Sequence, residues 1–346
     1  MADPILVLAW LVLAHLAADF VFQTGGIARA KSSHGSEAIR GLVAHGLIVT
    51  LCTLPIGLAF GPPGWAFVAI VGVSHVVIDR TKVILTRRAA ARALRDAHER
   101  HEGPQPTEHL GRAWTPEPAA LFLADQIAHL VVIGVAWALI PPIAGLQLGW
   151  VDAVNWALGS HDRAAVHQIV GVAVVLLSLL IVNVRAASLF VGILVRPVEA
   201  GTDGEHRWGS RAAPAVVASP PPAPAAPTAT RWSIRLGPIE GRVTAEPGGG
   251  AQPPTPGAAP APLPAGASVR VGSTIGVLER ILIVVFVLTG TDVAIGFVVA
   301  AKTLARFKLL DDRAFAEYYL LGTLASVGFA IISALVGRAA LTALLA

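Results

Sequence analysis

Long apolar runs separated by short polar or charged links dominate the hydropathy pattern of this 346-residue chain. Each run approaches the roughly 20 residues that an α-helix needs to cross a bilayer. Because the runs lack the alternation of membrane β-strands, they predict an all-α, polytopic transmembrane helix bundle with about seven apolar spans. The predicted spans are Pro4–Gln23, Ala38–Phe60, Trp65–Val83, Ala119–Ile140, Val166–Val195, Ile275–Ala301 and Tyr318–Val336.

Changes of composition divide the chain into three predicted parts. Residues 1–200 are expected to form a five-span membrane domain, and residues 271–346 a C-terminal helical membrane segment with two apolar runs and an amphipathic connector. Between them, residues 201–270 are rich in Pro, Ala and Gly, which cannot build a packed core and predict a disordered linker. Within this linker, the segment Arg231–Val243 fits either a short hairpin around Gly237-Pro238 or a membrane-surface anchor.

The overall composition also indicates a membrane protein, with 54% hydrophobic and 14% charged residues and a mean hydropathy of +0.67. The net charge of +4 does not indicate nucleic acid as a partner, because the basic residues are spread over the links and form no binding motif. The composition therefore predicts the lipid bilayer as partner, and it identifies no protein partner. The single cysteine, Cys52, excludes an internal disulfide and a cysteine-based zinc motif.

Charges in the links predict the orientation of the spans. The links after the first and third runs are basic, whereas the second link is uncharged and the fourth contains Arg163 as its only Lys or Arg. Short basic links stay in the cytoplasm, so the N-terminus is predicted to be periplasmic. With seven spans in this orientation, the basic connector before the seventh run would lie on the periplasmic side. Either that connector is an amphipathic helix in the membrane interface, or the fifth or sixth run does not span.

Histidine and aspartate recur inside the first four runs. The candidate residues are His15, Asp19, His45, His75, Asp79, Asp125 and His129. Three His and Asp pairs are four residues apart, a spacing that puts both side chains on one face of a helix. The fourth run carries its pair in reversed order, and it also crosses in the opposite direction from the first and third. We therefore expect all seven side chains to lie in one layer in the cytoplasmic half.

Ionisable side chains inside membrane spans are costly, which makes this layer a functional-site hypothesis. Imidazole and carboxylate groups bind zinc, manganese and iron, so all seven residues are candidate metal ligands. A metal-dependent hydrolase would use Asp79 or Asp125 as catalytic base beside an open coordination position. A hydrogen-bonded structural network and a proton-coupled or divalent-cation transporter remain the alternatives. The almost purely apolar outer halves of the spans, such as Ile5–Leu13, favour the enzyme over the transporter.

Further polar residues accompany the layer. Asp19 and Asp79 lie near the C-terminal ends of their predicted helices, where the helix dipole disfavours an anion. A nearby cation is therefore expected, and the candidates are a metal ion, Lys31, Arg80 and Lys82. Gln23 and Gln126 suit hydrogen bonds to the pairs. The polar residues of later runs are expected either to join the layer or to pair with each other, namely Asn183, Arg185, Glu279, Arg280 and Asp292.

Several segments resemble an uncharacterised bacterial multi-pass membrane family, catalogued as the domain of unknown function number 3307. They are HLAADFVFQ, HVVIDRTK, DQIAH and a stretch from LERILIVVF to EYYLLGTLAS. The resemblance covers about Ile5–Ile140 and Gly272–Val336 and implies a bacterial inner-membrane protein, without an activity. The residues it points to are His15, Asp19, Gln23, His45, His75, Asp79, Asp125 and His129. The spaced pairs also resemble the transport sites of cation diffusion facilitators and, less closely, the histidines of membrane-bound metal-dependent hydrolases, although neither full pattern is present.

Overall fold

The computed structural model describes residues 4–99, 112–139, 147–159, 163–199, 230–236, 239–245 and 265–345. Most of these residues are helical. The helices are α1 (Pro4–Ala17), α2 (Gly25–Ser32), α3 (Gly35–Phe60), α4 (Pro62–Glu99), α5 (Glu117–Leu139), α6 (Leu148–Leu158), α7 (Arg163–Ile181), α8 (Ala187–Val195), α9 (Ala265–Thr289), α10 (Ala294–Ala305) and α11 (Arg313–Leu345). Two π-helical turns continue the helices before them, Ala18–Phe22 after α1 and Val182–Ala186 between α7 and α8.

Four short strands form two antiparallel pairs. The strands are β1 (Arg112–Ala113), β2 (Val198–Glu199), β3 (Thr230–Leu236) and β4 (Ile239–Ala245). β1 pairs with β2, and β3 pairs with β4 with Trp232 opposite Val243. The hairpin that the sequence left open is therefore present. It belongs to a separate compact unit, residues 211–270, and most of the predicted linker lies outside the described residues.

Six described helices are long and apolar enough to cross a membrane, which makes the chain a membrane protein and confirms the all-α prediction. They are Pro4–Phe22, Gly35–Phe60, Glu117–Leu139, His167–Val195, Gly272–Thr289 and Phe315–Leu345. Each coincides with a predicted run. The remaining run, Trp65–Val83, lies in α4, which is not among the six. This 38-residue helix continues from the apolar run into a basic second half.

The tight turn between α3 and α4 makes these two helices antiparallel neighbours. Gly61 has a φ of 65°, a conformation that glycine adopts without the steric penalty of a side chain. Pro62 then occupies the first position of α4, where its fixed φ suits a helix start and its missing N–H is not needed. The turn brings the middle of α3 opposite the middle of α4, and His45 therefore faces His75.

The sixth predicted run is divided at Gly290, which has a φ of 72°. The expected span Ile275–Ala301 is therefore two helices, α9 and the shorter α10. The connector predicted as an amphipathic helix is also different, since it consists of the end of α10, a 3₁₀ turn at Phe307–Leu309 and the start of α11. Hydropathy did not reveal the break because apolar residues continue on both sides of the glycine.

Helix α10 runs back along α9. Lys302 Nζ lies 2.6 Å from Glu279 Oε2, and a Cβ added at Gly272 would lie 3.7 Å from Arg306 Nη2. The basic connector therefore returns to the end at which the α9 span begins. If the preceding linker is cytoplasmic, as the charge count expects, these cations are cytoplasmic too, which agrees with the tendency of basic links to stay inside.

Apolar side chains fill the spaces between the helices in three clusters. The first lies between α1, α3, α4 and α5 and includes Leu11, Val49 and Phe67. The second joins α7, α9 and α11, and the third packs Phe20 and Phe122 against α8. Large apolar side chains on the outer faces of the helices are exposed, as expected for surfaces in contact with lipid. The first cluster holds the four helices that carry the candidate site.

Candidate functional site

All seven predicted site residues are buried and lie together between α1, α3, α4 and α5. Their exposed fractions are His15 3%, Asp19 7%, His45 1%, His75 1%, Asp79 3%, Asp125 4% and His129 3%. The four-residue spacing that predicted them accounts for this result, since each pair occupies one inward face of its helix. The antiparallel course of α4 and α5 brings the reversed pair into register with the others.

The interior of this bundle is arranged in three layers, each one helical turn or about 6 Å from the next. The middle layer contains the four histidines. Residues four positions away toward one end are apolar and buried, namely Leu11, Val49, Val71 and Ile133. Residues four positions away toward the other end are Asp19, Asp79, Asp125 and Gly41. Three of the four helices thus carry a carboxylate one turn away from their histidine, and α3 carries a glycine at the corresponding position.

Lys31 occupies the place that a fourth carboxylate side chain would take. A Cβ added at Gly41 would lie 2.5 Å from the backbone nitrogen of Lys31, so α2 can pack against α3 only because residue 41 is glycine. The buried Lys31 Nζ donates to Asp79 Oδ2, and to Gln23 Oε1 at 2.9 Å. Lys82 Nζ similarly donates to Asp125 Oδ2 at 2.7 Å. Two of the expected cations therefore compensate two of the three carboxylates.

Asp19 is compensated differently, because its Oδ1 atom faces two histidines. It lies 3.2 Å from His45 Nε2 and 3.3 Å from His75 Nε2. The two Nε2 atoms are 2.9 Å apart. Asp79 Oδ2 lies slightly further from the same two nitrogen atoms, 3.5 Å from His45 Nε2 and 3.7 Å from His75 Nε2. Among the described residues, Asp19 Oδ1 has no partner in hydrogen-bond geometry despite these short separations.

These separations are close to those of ligand atoms around a small metal ion. Zinc bonds of about 2.0–2.2 Å in tetrahedral geometry place the ligand atoms roughly 3.3–3.6 Å from one another. The five separations between the two Nε2 atoms and the two carboxylate oxygens run from 2.9 to 3.7 Å. Since Asp79 Oδ2 also binds Lys31, the donor set is two imidazoles and one free carboxylate, with a second carboxylate beside the fourth position.

The remaining site residues surround this group. Gln126 Nε2 donates to Asp19 Oδ2 at 3.2 Å and to Asp125 Oδ2 at 3.1 Å, and its Oε1 accepts from His15 Nε2 at 3.3 Å. His129 Nδ1 donates to the backbone oxygen of Asp125 at 2.8 Å, which leaves a lone pair on its buried Nε2. Its ring centroid lies 4.1 Å from that of His75 and 5.0 Å from that of His15. Gln126 thus orients two of the three carboxylates.

A cavity of about 140 Å³ adjoins the carboxylate layer on the side away from the apolar layer and is open to the outside. Asp19, Asp79 and Gln126 form its inner wall. Its other lining residues are Phe20, Gln23, Ala28, Lys31, Ser32, Lys82, Val83, Thr86, Arg87, Pro118, Phe122, Leu189 and Ile193. The carboxylates of the site are therefore accessible from one end of the bundle, which we call the basic end because Arg87 and Arg88 lie there.

The polar residues of the later spans do not join the layer. Arg280 is buried and donates to Asn183 O at 2.7 Å, Ser326 Oγ at 3.1 Å and Ser188 Oγ at 2.5 Å. Its neighbour Glu279 pairs with Lys302 at 2.6 Å, a partner that the sequence did not indicate. Asp292 is exposed in the turn between α9 and α10. Arg280, Asn183, Ser188 and Ser326 form a second, structural polar centre.

The two π-helical turns connect the polar groups of both halves. Such turns shift the backbone hydrogen-bond pattern and release a carbonyl oxygen to an outside donor. Phe20 O in the first turn accepts from Arg185 Nε at 3.1 Å, and Asn183 O in the second accepts from Arg280 Nε. Asp19 lies within the first turn. The sequence pattern predicted neither turn.

Arg87 is a site residue that the sequence reasoning counted only as a determinant of topology. Its Nη2 donates to the backbone oxygens of Ser32 and Ser33, and its Nη1 lies 2.9 Å from His34 Nε2. Arg87 thereby holds the C-terminal end of α2, the helix that carries Lys31. Its position one turn beyond the cavity-lining Val83 was the signal available in the sequence.

Comparison with known proteins places part of the chain in a family. Neither the curated proteins nor the solved structures contain a match. Residues 7–157 match the family described as "Protein of unknown function (DUF3307)". The match includes all seven site residues, whereas the C-terminal segment expected to share the resemblance, Gly272–Val336, lies outside it. Residues 7–157 of this membrane protein are therefore a DUF3307 domain.

Proposed function

We propose that this membrane protein binds one divalent transition metal, zinc, manganese or iron, and uses it for hydrolysis. The observation that carries the proposal is the close grouping of His45 Nε2, His75 Nε2 and Asp19 Oδ1 beside Asp79 Oδ2, with separations of 2.9–3.7 Å. Two imidazoles and one carboxylate, with an open fourth position, are the ligand set of many catalytic zinc sites. A bound metal would supply Lewis acidity and lower the pKa of water.

The other residues of the site would position and move protons. Asp79, beside the fourth position and held by Lys31, would accept a proton from the attacking water. Gln126 would fix Asp19 through Oδ2 and leave Oδ1 directed at the metal. Asp125, which pairs with Lys82 and accepts from Gln126, would help to hold these two residues in place.

A purely hydrogen-bonded network explains the site less well. Buried polar atoms in such networks have partners, yet four side-chain atoms here have none among the described residues. They are Asp19 Oδ1, His45 Nδ1, Asp125 Oδ1 and His129 Nε2. Three carboxylates also face only two lysine ammonium groups, so one buried negative charge needs a further cation. A divalent metal beside Asp19 would give Asp19 Oδ1 a partner and supply the missing positive charge.

The apolar layer argues against transport. A permeating cation would have to pass Leu11, Val49, Val71 and Ile133, which close the bundle on the side opposite the cavity. Moving an ion through such a layer without polar steps is prohibitive. Access from one side only suits an enzyme that takes its substrate at a membrane surface. In the predicted topology that surface is the cytoplasmic one.

Elemental analysis of protein purified without chelator tests the metal. We expect about one divalent metal per chain in the unaltered protein, because the three groups of potential ligands among the described residues share His75 or Asp79. The double variant His45→Ala, His75→Ala should lose it. His98→Ala is the matched control, because this exposed histidine of α4 lies far along the helix from the site. Equal metal in all preparations, or none in any, contradicts the proposal.

Hydrolysis is tested with the activated ester bis(p-nitrophenyl) phosphate. Asp79→Asn should retain the metal and lower the turnover rate by about 10²- to 10⁴-fold, the range for loss of a general base. Asp96→Asn, an exposed carboxylate on the same helix, should change neither metal content nor rate. Metal-loaded protein with no hydrolysis, or an Asp79→Asn variant as active as its parent, would remove the enzymatic part of the proposal.

A further inference from the structure

We infer that the cavity beside the metal ligands binds the phosphate group of a membrane lipid. This inference rests on the proposed function and names the substrate class of that same site. It starts from the composition of the cavity wall, which combines cations at the basic end with an apolar face. An occupant must therefore present both an anionic group and a hydrocarbon part.

The cations of the wall have hydrogen-bond donors to spare. An ammonium group has three N–H donors, and Lys82 uses one of them on Asp125 Oδ2. Lys31 uses two, on Asp79 Oδ2 and Gln23 Oε1. Arg87 Nε is buried and has no partner among the described residues. Several donors from three cations are thus available at one cavity, a pattern that suits the multiple acceptor oxygens of phosphate.

Charge balance favours an anion once the metal is bound. Three cations and two carboxylates, Asp19 and Asp79, line the cavity. A divalent metal between the carboxylates would neutralise them, so the wall would then carry the uncompensated positive charge of Lys31, Lys82 and Arg87. A phosphate oxygen next to the metal would place the phosphorus atom beside Asp79, the residue that we assign as the base.

The apolar part of the cavity wall would contact the hydrocarbon part of the lipid. It is formed by the apolar side chains Phe20, Val83, Pro118, Phe122, Leu189 and Ile193. Leu189 and Ile193 are only half-buried and belong to α8, a helix within the span His167–Val195. An acyl chain that follows these residues would pass from the cavity into the hydrocarbon region. Soluble phosphate would leave this wall unused.

The cavity has room for the head group. One water needs roughly 10–15 Å³ of probe-occupied volume, so about 140 Å³ accommodates a group several times larger. Thr86 and Ser32 add hydroxyl groups next to the cations. The cavity is also open to the outside, so the head group can enter without unfolding a helix. Its position at the basic end matches the level at which lipid head groups lie.

Binding of defined probes to the zinc-loaded full-length protein in dodecyl maltoside tests the inference. The probes are dioctanoyl phosphatidic acid, dioctanoylglycerol as the phosphate-free control, and inorganic phosphate. Calorimetric titration should detect phosphatidic acid at least tenfold tighter than inorganic phosphate, and no binding of the diacylglycerol. The metal content of every preparation is measured in parallel, which separates failure of this inference from failure of the metal proposal.

Two variants and a control variant test the roles of the cationic and the apolar residues of the cavity wall. Lys82→Gln should weaken both phosphate probes by about tenfold, the scale of one charge-assisted hydrogen bond, while the metal is retained. Ile193→Ala should weaken phosphatidic acid severalfold and leave inorganic phosphate unchanged. Arg88→Gln removes an exposed charge next to Arg87 and should change neither.

The outcomes are distinct. Loss of binding in Lys82→Gln but not in Arg88→Gln supports a phosphate site at this cavity. Equal losses in both variants, or binding of neither phosphate probe by metal-loaded protein, overturns it and leaves the metal proposal standing. Equal affinity for both phosphate probes retains phosphate recognition and overturns the lipid assignment. Phosphatidic acid binding that depends on Lys82, in protein that takes up no zinc, supports the phosphate site and overturns the metal proposal.

Discussion

Replacement of Lys31 by methionine separates a metal site from an ion-pair network. Lys31 is 7% exposed and its ammonium group contacts Asp79, which is 3% exposed. Breaking a buried pair by removing one partner costs about 3–5 kcal/mol, because the other charge stays buried without compensation. In the presence of chelator, Lys31→Met should therefore lower the apparent Tm by on the order of 10 °C.

Zinc should reverse this loss. Without the ammonium group, Asp79 Oδ2 becomes a free fourth ligand 3.5 Å from His45 Nε2 and 3.7 Å from His75 Nε2. A ligand at about 1,000 times its dissociation constant stabilises the folded state by about 4 kcal/mol, which matches the cost of the broken pair. The increase in Tm on adding zinc should consequently be larger in Lys31→Met than in the unaltered protein.

The matched control is Lys302→Met. Lys302 forms a comparable, partly buried pair with Glu279 at 2.6 Å, far along the chain from the histidines. Its loss should also lower the Tm in chelator, but the zinc increment should equal that of the unaltered protein. The assay is thermal unfolding in detergent, followed by intrinsic tryptophan fluorescence. An identical zinc increment in all three proteins would refute the reasoning.

Three further predictions follow from the fold. Arg280→Lys should destabilise the protein by about 3 kcal/mol in thermal unfolding, because one ammonium cannot reach the three oxygens that the guanidinium binds; a stability within 0.5 kcal/mol of the parent, on the order of experimental scatter, would contradict this. Reporter fusions at Ser33 and Arg92 should report cytoplasm and a fusion at Gly159 periplasm, and a periplasmic Arg92 would reverse the orientation. Proteoliposomes should show no zinc flux above that of empty vesicles. Saturable zinc uptake that is lost in Asp79→Asn would instead support the transporter hypothesis.

Much of the site could be predicted from the sequence because its signals are local. The four-residue His and Asp pairs define helix faces, and the reversed order at Asp125 and His129 follows from the direction of α5. The prediction also anticipated that cations would compensate the carboxylates. Which lysine meets which carboxylate was not predictable, since it depends on the contact between α2 and Gly41.

The features that the sequence did not reveal depend on contacts between distant segments or on backbone geometry. The hydropathy pattern does not indicate the break at Gly290, because apolar residues continue on both sides of it. Arg280 was expected to join the layer or to pair with other polar residues of the later runs, but its partners Ser188 and Ser326, from two other helices, were not among those residues. Serines are common in membrane helices, so the sequence does not show which of them will bind a side chain of another helix.

The most direct test of the metal site is an anomalous difference map, collected at the zinc edge from crystals of zinc-loaded protein. The account predicts one strong peak within bonding distance, about 2.0–2.2 Å, of His45 Nε2, His75 Nε2 and Asp19 Oδ1. The fourth position should be occupied by solvent or by Asp79. A zinc-loaded crystal with no peak among these atoms, or with its main peak elsewhere, would contradict the central claim.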